Sequence, residues 1–456
     1  MPASVDAAII DADGDGTPAP ISAPYRRYVM VLLLIGCTLN FLDRGVINIL
    51  AEPIKHEFGL KNWQLGMLTG FYFALFYSVL SIPIGRLADR GHRTRVIALC
   101  IGAWSLFTVA CGFARSYWQL VAFRLLLGVG EAGGSPTSQA LIADYAPKTR
   151  RAAAIAFYTL GIPLGSLLGL SLGGLVLDRY GWRVAFIVAG APGLLLSLIV
   201  ALTLREPHVT ADGQRADPAS APALGPALKE IFSKRSFILM TLGGAMVSFA
   251  NYASSAWTPS FFFRNHAGEI AAMAQASSHA MGVHLGPAGF LGPLLGVSAG
   301  VAGVVGTLAG GWLTDHYARR NINAYITIQV IFTVLRMPLL ALAMIAPGAG
   351  LSVAALFVQA LFTGLAGAPA YASIQGLVQP RLRATAAAIF LLGLNLIGLG
   401  LGPVTVGALN DVLVARGFGE GPGLKWALLV VGEIVLVVGA SFIATARRTF
   451  AADTVS

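Results

Sequence analysis

Two short segments of the 456-residue chain set acids beside bases within apolar runs. One is Asn40-Phe41-Leu42-Asp43-Arg44; the other runs from Arg124 through Gly128 and Gly130 to Glu131. On a helix, Asp43 and Arg44 stand about 100° apart, so each needs its own partner. Asn40 lies one turn before Arg44 and can steady a group that Arg44 binds. Arg124 and Glu131 share a face with a rise of roughly 10 Å between them, and Gly128 and Gly130 keep the surface between them low. Burial and a nearby guanidinium push a carboxyl's proton affinity in opposite directions, so Asp43 or Glu131 can exchange protons as the arginines change partners. Arg44, planar and permanently charged, can instead hold a phosphate or carboxylate through paired hydrogen bonds. The two roles couple, because an anionic headgroup that takes Arg44 releases an acid to bind a proton. A structural ion-pair network is the competing reading, since buried charges also pair simply to be tolerated.

The elements that must position these groups are membrane helices. The chain is 56% hydrophobic and only 11% charged, against roughly 25% charged residues in soluble domains. Apolar runs long enough to cross a hydrocarbon core of ~30 Å as helices fall at 28–50, 64–85, 96–114, 118–143, 152–177, 184–204, 236–262, 289–313, 322–346, 350–377, 385–410 and 424–445. None alternates polar and apolar as a barrel strand of ~10 residues would. An all-α membrane protein of twelve spans is expected. Cys37, Cys100 and Cys111 all fall inside spans and read as small core side chains, with no disulfide framework.

The net charge of +10 is explained by topology. With the amino terminus in the cytoplasm, inner segments carry 20 of the 31 Lys and Arg, outer loops carry 8, and Arg44, Arg124 and Arg336 lie within spans. That is the positive-inside pattern, with both termini cytoplasmic, so the basicity calls for no nucleic acid. Residues 1–24 read as a disordered tail with no cleavable signal. Asp11-Ala-Asp13-Gly-Asp15-Gly16 opens like a calcium loop, yet Ser22 stands where the bidentate Glu belongs, so a solvated tail is the default. The expected divisions are this tail, a half at 25–204, a polar Pro/Ala-rich linker at 205–235, a half at 236–447 and a cytoplasmic tail at 448–456.

The two halves repeat one design. Gly85-Arg-Leu-Ala-Asp89-Arg90-Gly-His-Arg93 recurs as Gly311-Trp-Leu-Thr-Asp315-His-Tyr-Ala-Arg319. Gly134, Pro136, Pro147 and Arg150 recur at Gly367, Pro369, Pro380 and Arg383, each 233 residues on. A parallel duplication places the halves side by side about an axis along the membrane normal, with a substrate site near the midplane between them.

These motifs resemble the major facilitator superfamily over essentially the whole chain apart from tail and linker. The Gly85–Arg93 segment looks like that family's signature loop between helices 2 and 3, and its weaker copy lies where the second half should have it. The resemblance implies a cytoplasmic gate of Gly85, Asp89, Arg90, Arg93, Gly311, Asp315 and Arg319, latched when the transporter faces outward and broken when it faces inward; setting topology alone is the competing reading. Asn40-x-x-Asp43-Arg44, the Arg124–Gly133 segment and Phe157-Tyr158 through Gly161-Ile-Pro163-Leu-Gly165 look like the spinster-like branch, whose members are linked to lysolipid and sphingolipid-phosphate export. Ser81-Ile-Pro83-Ile-Gly85 and the Asp43–Arg44 pair also resemble organic-anion symporters of the same superfamily. The Gly-Pro that antiporters of the superfamily often show in helix 5 is absent after Gly169 and stands instead at Gly402-Pro403, which leaves the transport direction open.

Milder polar groups complete the expected cavity lining: Asn40, Asn251, Tyr252, Trp257, Gln359, Thr363, Tyr371 and Gln375. Gln359 with Thr363, and Tyr371 with Gln375, share faces at helical spacing, although such groups also serve as helix-packing hydrogen bonds. Arg336 and Glu433 receive no role, because the resemblance makes their helices peripheral. His279 and His284, five residues apart, point about 140° away from each other on a helix, so the segment from Arg264 to Pro287 reads as a solvated outer loop with no metal site. No metal, other cofactor or catalytic motif is expected. The sequence supports a monomeric, proton-coupled transporter of an amphipathic anion such as a lysolipid, in a bacterial inner membrane. A small-organic-anion symporter is the alternative within transport; a non-transporting receptor or scaffold is the alternative outside it.

Overall fold

A computed structural model describes residues 22–89, 93–147, 150–206, 224–379 and 382–454. Helix α1 (Ala23–Phe58) begins where the Ser22 hydroxyl accepts the Tyr25 N–H at 3.4 Å and ends at Gly59, whose φ of 61° stops the helix. The helix therefore starts two residues earlier than expected, and the calcium-like segment lies outside the described residues. α2 (Asn62–Gly66) passes through a π-helical stretch, Met67–Phe71, into α3 (Tyr72–Asp89); α4 (Arg93–Cys111) returns. α5 (Tyr117–Glu131) and α6 (Gly134–Tyr145) make one interrupted crossing, and α7 (Arg151–Thr159) leads into α8 (Gly161–Thr203).

The second half repeats the scheme. After α9 (Leu224–Ser233) come α10 (Arg235–Asn265), α11 (Ala267–Met281), α12 (Pro287–Ala318), α13 (Ala324–Ile345) and α14 (Ala349–Gly376). α15 (Arg383–Gly393), a π stretch Leu394–Leu401 and α16 (Gly402–Ala415) form one crossing, and α17 (Glu420–Asp453) the last. The described residues hold ten stretches long and apolar enough to span a membrane. One of them, Ala153–Thr203, has 51 residues, far more than the ~20 that one crossing needs. It turns at Gly181, where φ 81° and ψ 171° are open only to glycine, and so supplies two crossings. With the interrupted α5–α6 crossing, the total is twelve, in two six-helix halves.

Three expectations need correction. The outer segment from Arg264 to Pro287 is not a loop: α11 occupies most of it and buries Ile270 and Ala274. The linker contains α9, whose Ala227 and Ile231 sit in the apolar cluster of the second half. The carboxy-terminal tail is mostly a continuation of α17, which runs to Asp453.

Small residues set how closely the helices approach. A stripe at Gly161, Gly165, Gly169 and Gly173 faces α1; a Cβ on Gly169 would fall 2.6 Å from the Leu42 carbonyl oxygen. Backbones in membrane bundles pack through such stripes. The same side of the bundle joins the halves, since a Cβ on Gly296 of α12 would come 2.7 Å from the Leu167 carbonyl oxygen of α8.

Candidate functional site

α1 delivers Asp43 and Arg44 to different neighbours, as their angular separation requires. Arg44 turns toward α5, where its Nε and Nη2 both donate to Glu131 Oε2 at 2.7 Å. Asp43, 1% exposed, turns to α4 and accepts the Thr108 hydroxyl at 3.0 Å. The guanidinium of Arg44 lies over three rings, Phe41 at 5.0 Å, Phe73 at 4.8 Å and Tyr77 at 4.5 Å. Such contacts strengthen when water is excluded. Gly128 lets α3 come this close, since a Cβ there would fall 2.6 Å from the Phe73 carbonyl oxygen.

Arg124, 1% exposed, completes the cluster from the same face of α5. Its Nε donates at 3.3 Å to the carbonyl of Leu68, a residue of the π stretch, and its guanidinium lies 5.4 Å from the Phe73 ring. A π turn disturbs the regular backbone ladder and often marks a functional position. Two arginines and two carboxylates thus balance formally. Hydrogen-bonding capacity remains free: Asp43 Oδ1, Glu131 Oε1, Arg124 Nη1 and Asn40 Oδ1 are buried without partners among the described residues. A cluster that is neutral in sum yet incompletely bonded can take up a proton or an anion at little rearrangement.

The remaining sequence candidates divide. Tyr252 of α10 packs against the apolar cluster of the first half, and its phenol lies within electrostatic reach of Arg44. Asn251, next to it, faces the other way and accepts Arg336 Nη2 at 2.5 Å. Trp257 lines no cavity: it is 1% exposed, and its Nε1 donates to the Pro403 carbonyl at 2.9 Å. Gln359 is buried, and its carbonyl accepts the Thr363 hydroxyl at 2.9 Å. Tyr371 is exposed and meets Phe390 edge-on, and Gln375 is exposed one turn further on. Gln359 and Gln375 are about 24 Å apart along α14, so these four residues do not form one wall.

The gate residues are equally uneven. Arg93 pairs with Asp144 of α6, and its backbone N–H donates to Glu206 at 3.1 Å. Gly85 and Asp89 fall in the last turns of α3, their side chains outside what the structure describes, and Arg90 lies outside the described residues. In the second half Asp315 and Arg319 are exposed, and no ion pair reaches either among the described residues. A Cβ on Gly311 would meet nothing within 4 Å, so this glycine serves no close approach here.

Sequence reasoning missed the outer closure. Arg264 of α10 donates from Nε at 2.9 Å and Nη2 at 2.7 Å to Glu52 of α1, and from Nη1 to Asn62 at 3.0 Å. Glu420 of α17 lies 3.1 Å from Arg264 and pairs with Lys55 of α1. Asp411 of α16 accepts the Asn62 and Trp63 backbone N–H groups at 3.1 and 2.8 Å, capping α2 from the opposite half. Asp178 of α8 caps α12 in the same manner, accepting the Gly289 N–H at 2.5 Å. Among the described residues, every ion pair that crosses between the halves lies at this end. The positive-inside expectation makes it the outer end. His266, read above as part of a loop, sits beside Glu269, while His279 and His284 are exposed. Tyr77 and Phe73 carried a legible signal, because they stand four residues apart on one helix face; the outer ring of ion pairs carried none, since its members come from three helices, α1, α10 and α17.

Twelve helical crossings in two repeated halves are the fold of a membrane transporter. The family model of the Major Facilitator Superfamily matches residues 33–403, and the chain belongs to that superfamily. It is 33% identical to an MFS-type efflux pump of Mycolicibacterium smegmatis over 450 residues, 97% of each chain. It is 29% identical to protein spinster homolog 1 of Bos taurus over 272 residues, 58% of this chain and 51% of that one. Among solved structures it is similar to a bacterial homolog of the human lysosomal transporter Spinster, inward-facing and unoccupied. That match has a TM-score of 0.81 and 28% identity, and covers 96% of this chain and 100% of the other. Within the superfamily this is a spinster-like transporter and not an enzyme.

Proposed function

We propose that the protein is a proton-coupled transporter of an amphipathic anion, such as a lysolipid or sphingolipid phosphate, working by alternating access as a monomer. In this reading it sits in a bacterial inner membrane with both termini in the cytoplasm. The single observation that carries it is Arg44 held by one carboxylate oxygen of Glu131 within an aromatic enclosure. A phosphate or carboxylate headgroup can replace Glu131 on the same two guanidinium N–H groups, with the rings keeping Arg44 in place during the exchange. Glu131, deprived of its cation in a buried site, then takes a proton. The proton and the anion are thereby tied to one side chain, which is the requirement for coupling. Closure at the outer end agrees with access from the cytoplasm, as in the inward-facing structure of the bacterial spinster homolog.

The M. smegmatis relative favours a second reading, efflux of amphipathic compounds more generally. Counterflow in proteoliposomes separates these readings. A labelled lysophospholipid and a hydrophilic dicarboxylate are each offered with and without a pH gradient. Gradient-dependent lysophospholipid exchange that loses its proton dependence in Glu131→Gln is expected, because the amide keeps hydrogen bonds but cannot titrate. Exchange of the dicarboxylate alone selects the organic-anion symporter, and binding without counterflow selects the receptor. An unchanged ratio of protons to substrate in Glu131→Gln removes Glu131 from coupling.

A further inference from the structure

Arg336 is the buried charge that the coupling scheme above does not use. It lies on α13, 2% exposed, and among the described residues its one hydrogen bond is Nη2 to Asn251 Oδ1 at 2.5 Å, with Nε and Nη1 left without a partner. No carboxylate pairs with it among the described residues, and Glu433 of α17, a helix packed against α13, keeps an unpartnered Oε1. A guanidinium so enclosed is costly in a membrane unless it is fully bonded, and so its hold on the single acceptor available to it is strong.

That acceptor stands beside Tyr252. Adjacent residues on a helix point about 100° apart, so α10 shows Asn251 to the interior of its own half and Tyr252 to the other. One turn outward the same two faces meet again, where Asn48 of α1 donates to the Ser255 hydroxyl at 3.3 Å. Asn48 is one turn from Arg44, and Ser255 is three residues from Tyr252. The rotation of α10 that satisfies Arg336 is therefore the rotation that sets Tyr252 against Arg44.

We infer that Arg336 is a positioning residue for the proton–anion site, acting through Asn251 to fix the phenol of Tyr252 beside the Arg44 guanidinium. This inference rests on the coupling role of Glu131 and adds to it a contribution from the second half. The groups facing Arg44 are Glu131 from α5, Tyr77 from α3 and Tyr252 from α10, with Arg124 and Asp43 coupled to Glu131. A change in where Tyr252 sits alters the field in which Glu131 takes up a proton beside the Arg44 guanidinium, and Arg336 touches none of these groups.

The test is thermal unfolding of the purified full chain over about pH 5 to 9, a range in which buried carboxyl groups can titrate. The proteins compared are the parent, Glu131→Gln, Tyr252→Phe, Asn251→Leu, the Asn251→Leu/Tyr252→Phe double variant, Arg336→Gln and Arg336→Lys. Asn251→Leu and Tyr252→Phe should move the pH midpoint of stability in the same direction by about 0.4–1 unit, the equivalent of one ordinary hydrogen bond. The double variant should move it no further than the larger single change, and Arg336→Lys, which retains a donor for Asn251, should stay nearer the parent than Arg336→Gln. Where the Leu variant does not fold, Asn251→Ser takes its place. A melting temperature lowered equally at every pH, or shifts that add in the double variant, would overturn the inference. A midpoint moved by Glu131→Gln but not by Asn251→Leu removes the Arg336 link alone. A midpoint that Glu131→Gln leaves unmoved removes the coupling reading and this inference together.

Discussion

The two halves share a backbone plan and differ in what they bury. In the first, a π stretch in the second crossing gives its Leu68 carbonyl to Arg124. In the second, the π stretch Leu394–Leu401 gives its Leu394 carbonyl to the Ser248 hydroxyl at 3.0 Å. The same irregularity is stabilised by a charge on one side and by a neutral hydroxyl on the other. Four charged side chains then converge in the first half and compensate one another, whereas the interior of the second holds Arg336 against a neutral amide. The stretches fall in the second crossing of one half and the fifth crossing of the other, so the duplication has kept the crossing plan but neither the place of the irregularity nor its chemistry. In the proposed reading, one half carries the exchangeable proton and anion site and the other supplies a surface that moves against it.

If this division holds, the largest effect belongs to Arg44. Arg44→Ala leaves Glu131 buried without its cation, which costs about 3–5 kcal/mol when one partner of a buried pair is removed. Arg44→Lys keeps the charge but loses the planar pair of donors. Anion affinity should fall in the order Arg, Lys, Ala, with the melting temperature dropping mainly for Ala. Titration of all three proteins with a lysophospholipid, with melting curves alongside, checks this. Binding equal to the parent in both variants would move the headgroup to another residue, Arg124 first.

A smaller effect tests the seam between the halves. Arg264 is held to Glu52 across it with both side chains largely buried. Arg264→Gln should release the outer end and shift the population toward outward-open states, raising the labelling rate of a Ser255→Cys reporter by an impermeant thiol reagent about tenfold, the effect of ~1.4 kcal/mol. An unaltered rate would mean that the helix caps at Asp178 and Asp411 close the outer end without the ion pairs.

The smallest effect lies outside the membrane spans, where the second half carries α11. The Ala349 N–H at 2.7 Å, and beside it His266, hold the Glu269 carboxyl below the usual carboxylate range. A carboxyl depressed on folding stabilises above its unfolded value, about 4.3, and that stability is lost as pH falls through the lower folded value. The melting temperature of Glu269→Gln should lie slightly below that of the parent near neutral pH, and the difference should close on acidification below about pH 4. A difference that persists there would assign the loss to packing of α11 rather than to ionisation.

Hydropathy over windows of about 20 residues suffices to place the crossings, and the bias of Lys and Arg gives them an expected orientation, because both depend on local composition alone. The repeat at a spacing of 233 residues disclosed the two halves for the same reason. Helical geometry also announced that Asp43 and Arg44 part company and that Arg124 and Glu131 share a face. What no local rule decides is which distant side chain meets which. Thr108 for Asp43, Leu68 for Arg124 and Asn251 for Arg336 are fixed by how helices rotate and pack against one another. Trp257 shows the same limit from the other side: its type and position suit a cavity wall, yet the packing of α10 on α16 turns it onto a backbone carbonyl. The outer ring of Glu52, Lys55, Arg264 and Glu420 is the plainest case. Each residue reads from sequence as a charge at the end of a span, and only the joining of the two halves makes the four a closure, because ion pairing depends on distances in space that the order of residues along the chain does not contain.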